Sequence, residues 1–199
     1  MDLASIDIAK LQKKLETMLT PNRFLHSLGV METAMVMAKR FGENVEKARI
    51  AGLLHDCAKD IDKGKMVQMC EELGVYLDPM KREQRSLIHA DLGAKLLETE
   101  FGIDDPHIIG AVKHHTLGRE KMTNLEKILY LADLIEPNRK PFEGIDELRQ
   151  LSEKNLDCAM LCAVEQSIDH IQHKHKPLHS QTLATQQYFL KLCKEKVTR

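Results

Sequence analysis

Apolar residues in this chain recur at three- and four-residue intervals almost from end to end, and strict apolar–polar alternation is nearly absent. That pattern suits helices whose buried stripes share one core and suits no sheet, so the expected fold is an all-α, single-domain helical bundle. Gly and Pro mark the boundaries. Thr20-Pro21 opens a long helix, with proline at the first position where its missing N–H costs nothing, and Phe41-Gly42 closes it. Further helices are expected from about Asn44 to Cys57, from Lys63 to Leu73 and from Ala90 to Phe101. Another starts at Asp105-Pro106 and carries His114 and His115. Thr123-Asn124-Leu125-Glu126 reads as a capping box for a helix that reaches Glu136-Pro137. A long amphipathic helix runs from Asn155 to Lys174 before Pro177, and a last one begins near Ser180. Met31 and Met35, four apart, are expected as core filling.

No repeat, low-complexity tract or composition break divides the 199 residues, and a 43% hydrophobic content is enough for one core. One domain is therefore read over 1–199. The 29 Lys and Arg balance 30 Asp and Glu, for a net charge of −1, which gives no global attraction to nucleic acid or to an anionic membrane. Eight aromatics and no tryptophan also disfavour a nucleic-acid partner. Asp2, Asp7, Lys10, Lys13 and Lys14 stand where a signal peptide needs an apolar core. No apolar run approaches the roughly 18 residues of a spanning helix. Five cysteines, an odd number without a C-x-x-C pair, read as reduced thiols in a cytoplasmic protein. Cys158 and Cys162, at i and i+4, are expected to pack between helices.

The chemistry concentrates at a few positions. His55-Asp56 follows the apolar run Ile50-Ala51-Gly52-Leu53-Leu54. Neighbouring helical residues diverge by roughly 100°, so the pair converges on one ion only where the helix is ending. Cys57-Ala58-Lys59-Asp60 is consistent with such an end. Asp133 interrupts the apolar Tyr130-Leu131-Ala132 and Leu134-Ile135, and a half-buried carboxylate there needs a cation. A metal would supply one; so would Lys127 or Arg139. His26 lies on a different helix again, in the first turns after Pro21. Two imidazoles and two carboxylates suit iron, manganese or zinc better than calcium.

In this order the residues resemble the HD phosphohydrolase superfamily and, more narrowly, the YqeK family of symmetrical bis(5'-nucleosyl)-tetraphosphatases. The closer likeness rests on Arg23-Phe24-Leu25-His26-Ser27-Leu28-Gly29-Val30, on His55-Asp56-Cys57-Ala58-Lys59, on Leu87-Ile88-His89-Ala90, on His115-Thr116, and above all on the stretch from Met122 to Arg139. The resemblance implies an HD-domain bundle around a central metal site. Its ligands would be His26, His55, Asp56 and Asp133, holding one transition-metal ion, with iron favoured over manganese and zinc. It also implies catalytic roles for Asp56, Lys59, His89 and His115. Nucleotide contacts would come from these four, from Arg23, Asp133 and Arg139, and from Pro177, Leu178, His179, Ser180, Gln181 and Thr182. The family pattern at the last segment reads Pro-x-x-Pro-Asp-Thr, from which this chain departs at two positions. Metal and phosphate motifs would then lie within 20–140, and the helices of 155–199 would complete the nucleotide pocket.

The implied reaction is attack of metal-bound hydroxide on an inner phosphate of diadenosine tetraphosphate, giving two ADP. A homodimer is compatible with this reading. Two alternatives stay open. One is a nucleotidase or phosphodiesterase of the same superfamily acting on a smaller nucleotide, and the other is a nucleotide-sensing module without turnover. Arg23, Lys59 and Arg139 stand beside the ligands and would offset phosphate charge, or else are ordinary surface cations. His89 and His115 likewise have core or second-metal readings. His107, His170, His173 and His175 belong to no pattern.

Overall fold

The computed structural model describes Leu3 and residues 6–197; Asp2 and the other ends of the expected 1–199 domain lie outside the described residues. The described chain is helical, with no strand among the described residues. In order it forms α1 (Ile8–Glu16), α2 (Pro21–Arg40), α3 (Val45–Leu54), α4 (Lys63–Glu72), α5 (Pro79–Glu83) and α6 (Ile88–Phe101). There follow α7 (Pro106–His114), α8 (Asn124–Ile135), α9 (Ile145–Ser152), α10 (Leu156–His173) and α11 (Ser180–Val197). Among the described residues no helix is long and apolar enough to cross a membrane.

The punctuation works as its chemistry requires. Pro21 and Pro106 sit in the first turns of α2 and α7, and the capping box of α8 is formed in both directions between Thr123 and Glu126. Gly102 closes α6 in the left-handed region at φ 66, where a Cβ would be strained. Three helices, α1, α5 and α9, were not expected from the sequence. In α1 the apolar spacing is plain, since Leu11 and Leu15 are buried below an Asp7 cap. Five lysines, glutamines and glutamates among the nine residues of the helix thin the stripe. The helices α5 and α9 are too short for a period to stand out.

The helix α8 is the centre of the bundle. Every residue from Leu125 to Ala132 is buried, and the helix packs against α2, α3, α7, α9 and α10. A helix apolar on nearly all sides has to be wrapped in this way. Met31 and Met37 are buried and Met35 packs partly against the core. The pair α2 and α3 makes the most extensive contact in the molecule, through Gly52. A Cβ at position 52 would stand 2.6 Å from Met31 Cα and 3.0 Å from Met31 N, both backbone atoms that cannot swing aside. Glycine inside a helix costs about 1 kcal/mol relative to alanine. Overpacking against backbone costs about 1–3 kcal/mol and outweighs that gain. Gly52→Ala should therefore lower Tm by roughly 2–8 °C in a thermal melt, where an ordinary helix glycine would raise it.

Candidate metal centre and its flanking cavities

Six side chains from five helices meet in the middle of the bundle. The first turns of α2 bring His26, and α8 brings Asp133 near its C-terminal end. His55 caps the C-terminus of α3 and Asp56 opens the turn that follows, so the two neighbours converge because the helix stops there. The first turn of α6 carries His89, and His115 caps α7. All are buried except Asp133, which is partly exposed.

The four imidazoles share one device. His55 Nδ1 donates to Gly52 O at 2.8 Å, His89 Nδ1 to Ser86 O at 2.8 Å, and His115 Nδ1 to Val112 O at 2.6 Å. Each acceptor is the carbonyl three residues back on the ring's own segment. His26 Nδ1 instead donates to Glu136 Oε1 at 3.0 Å. Carbonyl and carboxylate oxygens only accept, so a proton sits on Nδ1 of each ring; Nε2 of His55, His89 and His115 then faces the centre as a lone pair, while His26 Nε2 faces the Asp133 carboxylate. Ligand histidines are commonly oriented in this way.

Around the centre the donor atoms crowd without bonding one another. His26 Nε2 is 3.0 Å from Asp133 Oδ1, while His55 Nε2 is 3.5 Å from Asp56 Oδ2 and 3.9 Å from Asp133 Oδ1. His26 Nε2, His55 Nε2 and Asp56 Oδ1 are buried with no hydrogen-bond partner. Leaving such an atom unsatisfied costs about 1–3 kcal/mol. Two ligands at ~2.1 Å from one ion and at right angles stand about 3 Å apart, close to the spacing here. This donor set fits a transition metal. A second trio, Asp56, His89 and His115, shares Asp56 with the first. There His89 Nε2 lies 3.1 Å from His115 Nε2 and 3.3 Å from Asp56 Oδ1.

The electrostatics agree. Burial drives His55 down to about 4, against the pull of Asp56 and Asp133, which keeps the ring neutral and able to ligate. At His26 burial also pulls down, yet Asp133 and Glu136 outweigh it and raise the pKa. Two carboxylates on one imidazole are a surplus of negative charge that a cation would offset. Burial alone would raise Asp56, but His55, His115, His89 and Lys59 hold it well below the usual range. Asp133 is likewise held below that range by His26, His55 and Arg139. Three cations stand at the rim. Arg23 Nη1 donates to Asp56 Oδ2 at 2.9 Å, Arg139 Nη1 to Asp133 Oδ1 at 3.0 Å, and Lys59 Nζ to His89 Nε2 at 3.0 Å. Lys127, the other candidate partner of Asp133, pairs with Asp157 at 2.8 Å.

Glu136 is the residue that sequence reasoning missed. It is 1% exposed, holds His26 through Oε1, and accepts from Asn138 N through Oε2 at 2.7 Å. Its carboxylate occupies the space above Gly29, where any Cβ would overlap Oε2. A buried acid paired in sequence with Pro137 at a helix end was the available clue. Thr116 is a second addition, with Oγ1 3.2 Å from both His89 Nε2 and His115 Nε2.

Two cavities flank the centre. One, of ≈ 470 Å³, is mainly polar and is bordered by Arg23, Lys59, Arg139 and Lys140 and by Asp56, Asp60, Asp133 and Glu136, beside His26. The other, of ≈ 350 Å³, is mainly apolar, with Leu87, Leu117, Leu134, Phe142 and Ile171 in its lining, and it adjoins the centre at Thr116. Arg139 borders both. The expected 177–182 segment divides. Thr182 lines the apolar cavity, Leu178 packs against the core, and His179 Nε2 lies 3.1 Å from Asp78 Oδ2. Gln181 bonds Gly118 O, and Pro177 O accepts from Gln84 at 2.8 Å. Ser180 begins α11. His114 turns into a separate cavity with Lys81 and Asp91, and His170 lines the apolar one.

Residues 23–138 match the HD domain family. The chain is 40% identical over 169 residues to a symmetrical bis(5'-nucleosyl)-tetraphosphatase of Bacillus subtilis, covering 84% of this chain and 89% of that protein. It is 38% identical to the protein of the same description from Halalkalibacterium halodurans, over 84% and 88% of the two chains. A crystal structure from Clostridium acetobutylicum, described as a predicted HD superfamily hydrolase involved in NAD metabolism, superposes with a TM-score of 0.90 at 38% identity. That likeness covers 93% of this chain and 97% of the other.

Proposed function

The chain belongs to the HD-domain family, among the symmetrical bis(5'-nucleosyl)-tetraphosphatases, and from this we propose that it hydrolyses diadenosine tetraphosphate at its centre into two ADP. The observation that carries the proposal is the buried set of Nε2 and carboxylate donors, with a polar cavity that presents Arg23, Lys59, Arg139 and Lys140 on one flank and a mainly apolar cavity on another. Phosphates have a place beside Arg23, Lys59 and Arg139, and a nucleoside has one beside Phe142 and Ile171.

HD hydrolases are metal-dependent, and His26, His55, Asp56 and Asp133 are the residues proposed to hold the ion, with iron ahead of manganese and zinc. When bound, such an ion polarises phosphoryl oxygen and lowers the pKa of adjacent water. Asp56 faces both the ligand set and the His89–His115 pair, so it is suited to orienting the attacking water. Nε2 of His115 is the acceptor for the hydrogen bonds of that water or of a protonated phosphate, and His89, whose Nε2 accepts from Lys59, holds that cation beside it. Lys59 and Arg139 offset the charge that develops on the departing diphosphate. A diphosphate leaving group matches Arg23, Lys59 and Lys140, which border the polar cavity and not the apolar one. The same ligand set weighs against a sensor without turnover.

Product analysis by ion-exchange chromatography, with metal content measured on the same preparation, tests this. Diadenosine tetraphosphate should give ADP as the sole nucleotide product, from protein carrying close to one equivalent of metal. AMP with ATP would refute central cleavage. Faster turnover of simple mononucleotides would point instead to a nucleotidase of the same family.

A further inference from the structure

The two cavities are not equivalent. In the ≈ 350 Å³ cavity carbon side chains from α8, α10 and the segment before α9 face one another, and the volume is near the lower end of small-ligand pockets, roughly 300–1,000 Å³. It has room for one nucleoside. Among the described residues, the lining of the ≈ 470 Å³ cavity contains no apolar side chain and no aromatic ring other than the His26 imidazole. Its outer border is Thr20, Asn22, Asp60 and Lys140, and Asp60 is already engaged, accepting from Thr20 N at 2.7 Å and Thr20 Oγ1 at 2.9 Å. A purine laid there would meet mainly fixed polar groups and gain less apolar burial than in the other cavity. Phosphates laid there would meet Arg23, Lys59, Arg139 and Lys140; of the four carboxylates in the same lining, Asp56 and Asp133 are proposed metal ligands, Glu136 is held by His26 and Asn138, and Asp60 by Thr20.

Building on the reading above as a centrally cutting tetraphosphatase, we infer that the enzyme recognises only one nucleoside of its substrate, and that nucleoside 5'-tetraphosphates bearing a single nucleoside are substrates in their own right. The recognised half, a nucleoside with two phosphates, occupies the apolar cavity and reaches the centre past Thr116 and Arg139. The other half is recognised as a diphosphate and nothing more. With adenosine 5'-tetraphosphate, a water oxygen bonds to one inner phosphorus and the bridging P–O bond between the two inner phosphoryl groups breaks. The bridging oxygen leaves with the other half, and the protons of the water pass to the new terminal oxygens or to solvent. The products are ADP and inorganic pyrophosphate. No redox partner is needed.

The test is a series of three substrates on the metal-loaded enzyme: diadenosine tetraphosphate, adenosine 5'-tetraphosphate and inorganic tetraphosphate. The first two should agree in kcat/KM within about fivefold, and the third should fall by roughly 100-fold, because only the first nucleoside contributes binding energy. Phe142→Ala should lower both nucleoside substrates by one common factor of about 10 and leave inorganic tetraphosphate unchanged. Calorimetric titration of ADP should weaken by the same factor. Ile171→Ala serves as a second probe of the cavity should Phe142→Ala fold poorly. If adenosine 5'-tetraphosphate is slower by more than about fivefold while diadenosine tetraphosphate still gives only ADP, the second nucleoside is recognised and this inference falls. The tetraphosphatase reading then stands. Inorganic tetraphosphate turned over as fast as the nucleotides would also overturn the inference. If diadenosine tetraphosphate gives AMP and ATP, the tetraphosphatase reading fails, and the inference with it.

Discussion

His55→Ala and Asp133→Ala should each be purified nearly free of metal, with diadenosine tetraphosphate hydrolysis reduced by 10³-fold or more, an order of magnitude set by the several kcal/mol a metal contributes at a phosphoryl centre. His55 has no exposed surface, and its ring is fixed at Nδ1 by Gly52 O. Asp133 sits between His26 and Arg139 at 3.0 Å from each, so its loss also leaves His26 without its nearest carboxylate across the centre. Inductively coupled plasma analysis measures the metal, and circular dichroism checks that helix content is retained. Full occupancy in both variants would disprove the ligand assignment. Glu136→Gln gives a graded version of the same test, because it perturbs the orientation of His26 without deleting a ligand. Metal affinity should fall by about 10–100-fold.

A different signature is expected from the rim. Lys59→Ala and Arg139→Ala should reduce kcat/KM by roughly 30- to 1,000-fold, since one contact to developing charge is worth about 2–4 kcal/mol, and both should keep their metal. Neither side chain supplies a metal-ligand atom. Lys59 reaches His89 Nε2 at 3.0 Å, and Arg139 reaches Asp133 Oδ1 at 3.0 Å. Arg139→Lys should recover only part of the loss, because a point charge cannot reproduce a guanidinium that borders two cavities. Wild-type rates with either alanine variant would make these residues surface cations after all.

Much of this arrangement was legible before any coordinates. The grouping of His26, His55, Asp56 and Asp133 was legible chiefly through the resemblance to the HD family; their neighbours, an apolar run ending at His55 and a carboxylate set among leucines, were consistent with it and too weak to assign it. Helical period and glycine stops gave most of the long helices to within a few residues. What stayed hidden depends on distances between elements. Glu136 closes an expected helix, and its side chain turns inward only because the backbone bends after Ile135 and Gly29 leaves a gap on α2. The partner of His179 is Asp78, remote in sequence, and no local pattern announces such a pair. The apolar cavity could not be foreseen either, since Leu87, Thr116, Phe142 and Ile171 meet only in the folded bundle.

The ligands proposed for the ion come from α2, α3 and α8, helices widely separated along the chain, and the unfolded polypeptide has no reason to gather them. Ion binding and folding are therefore linked by mass action. An ion that binds the native state alone adds RT ln(1 + [M]/Kd) to its stability, about 4 kcal/mol when free metal exceeds Kd a thousandfold. The temperature at which this bundle melts then reports the metal activity of its surroundings, and chelation lowers it with no change in the sequence.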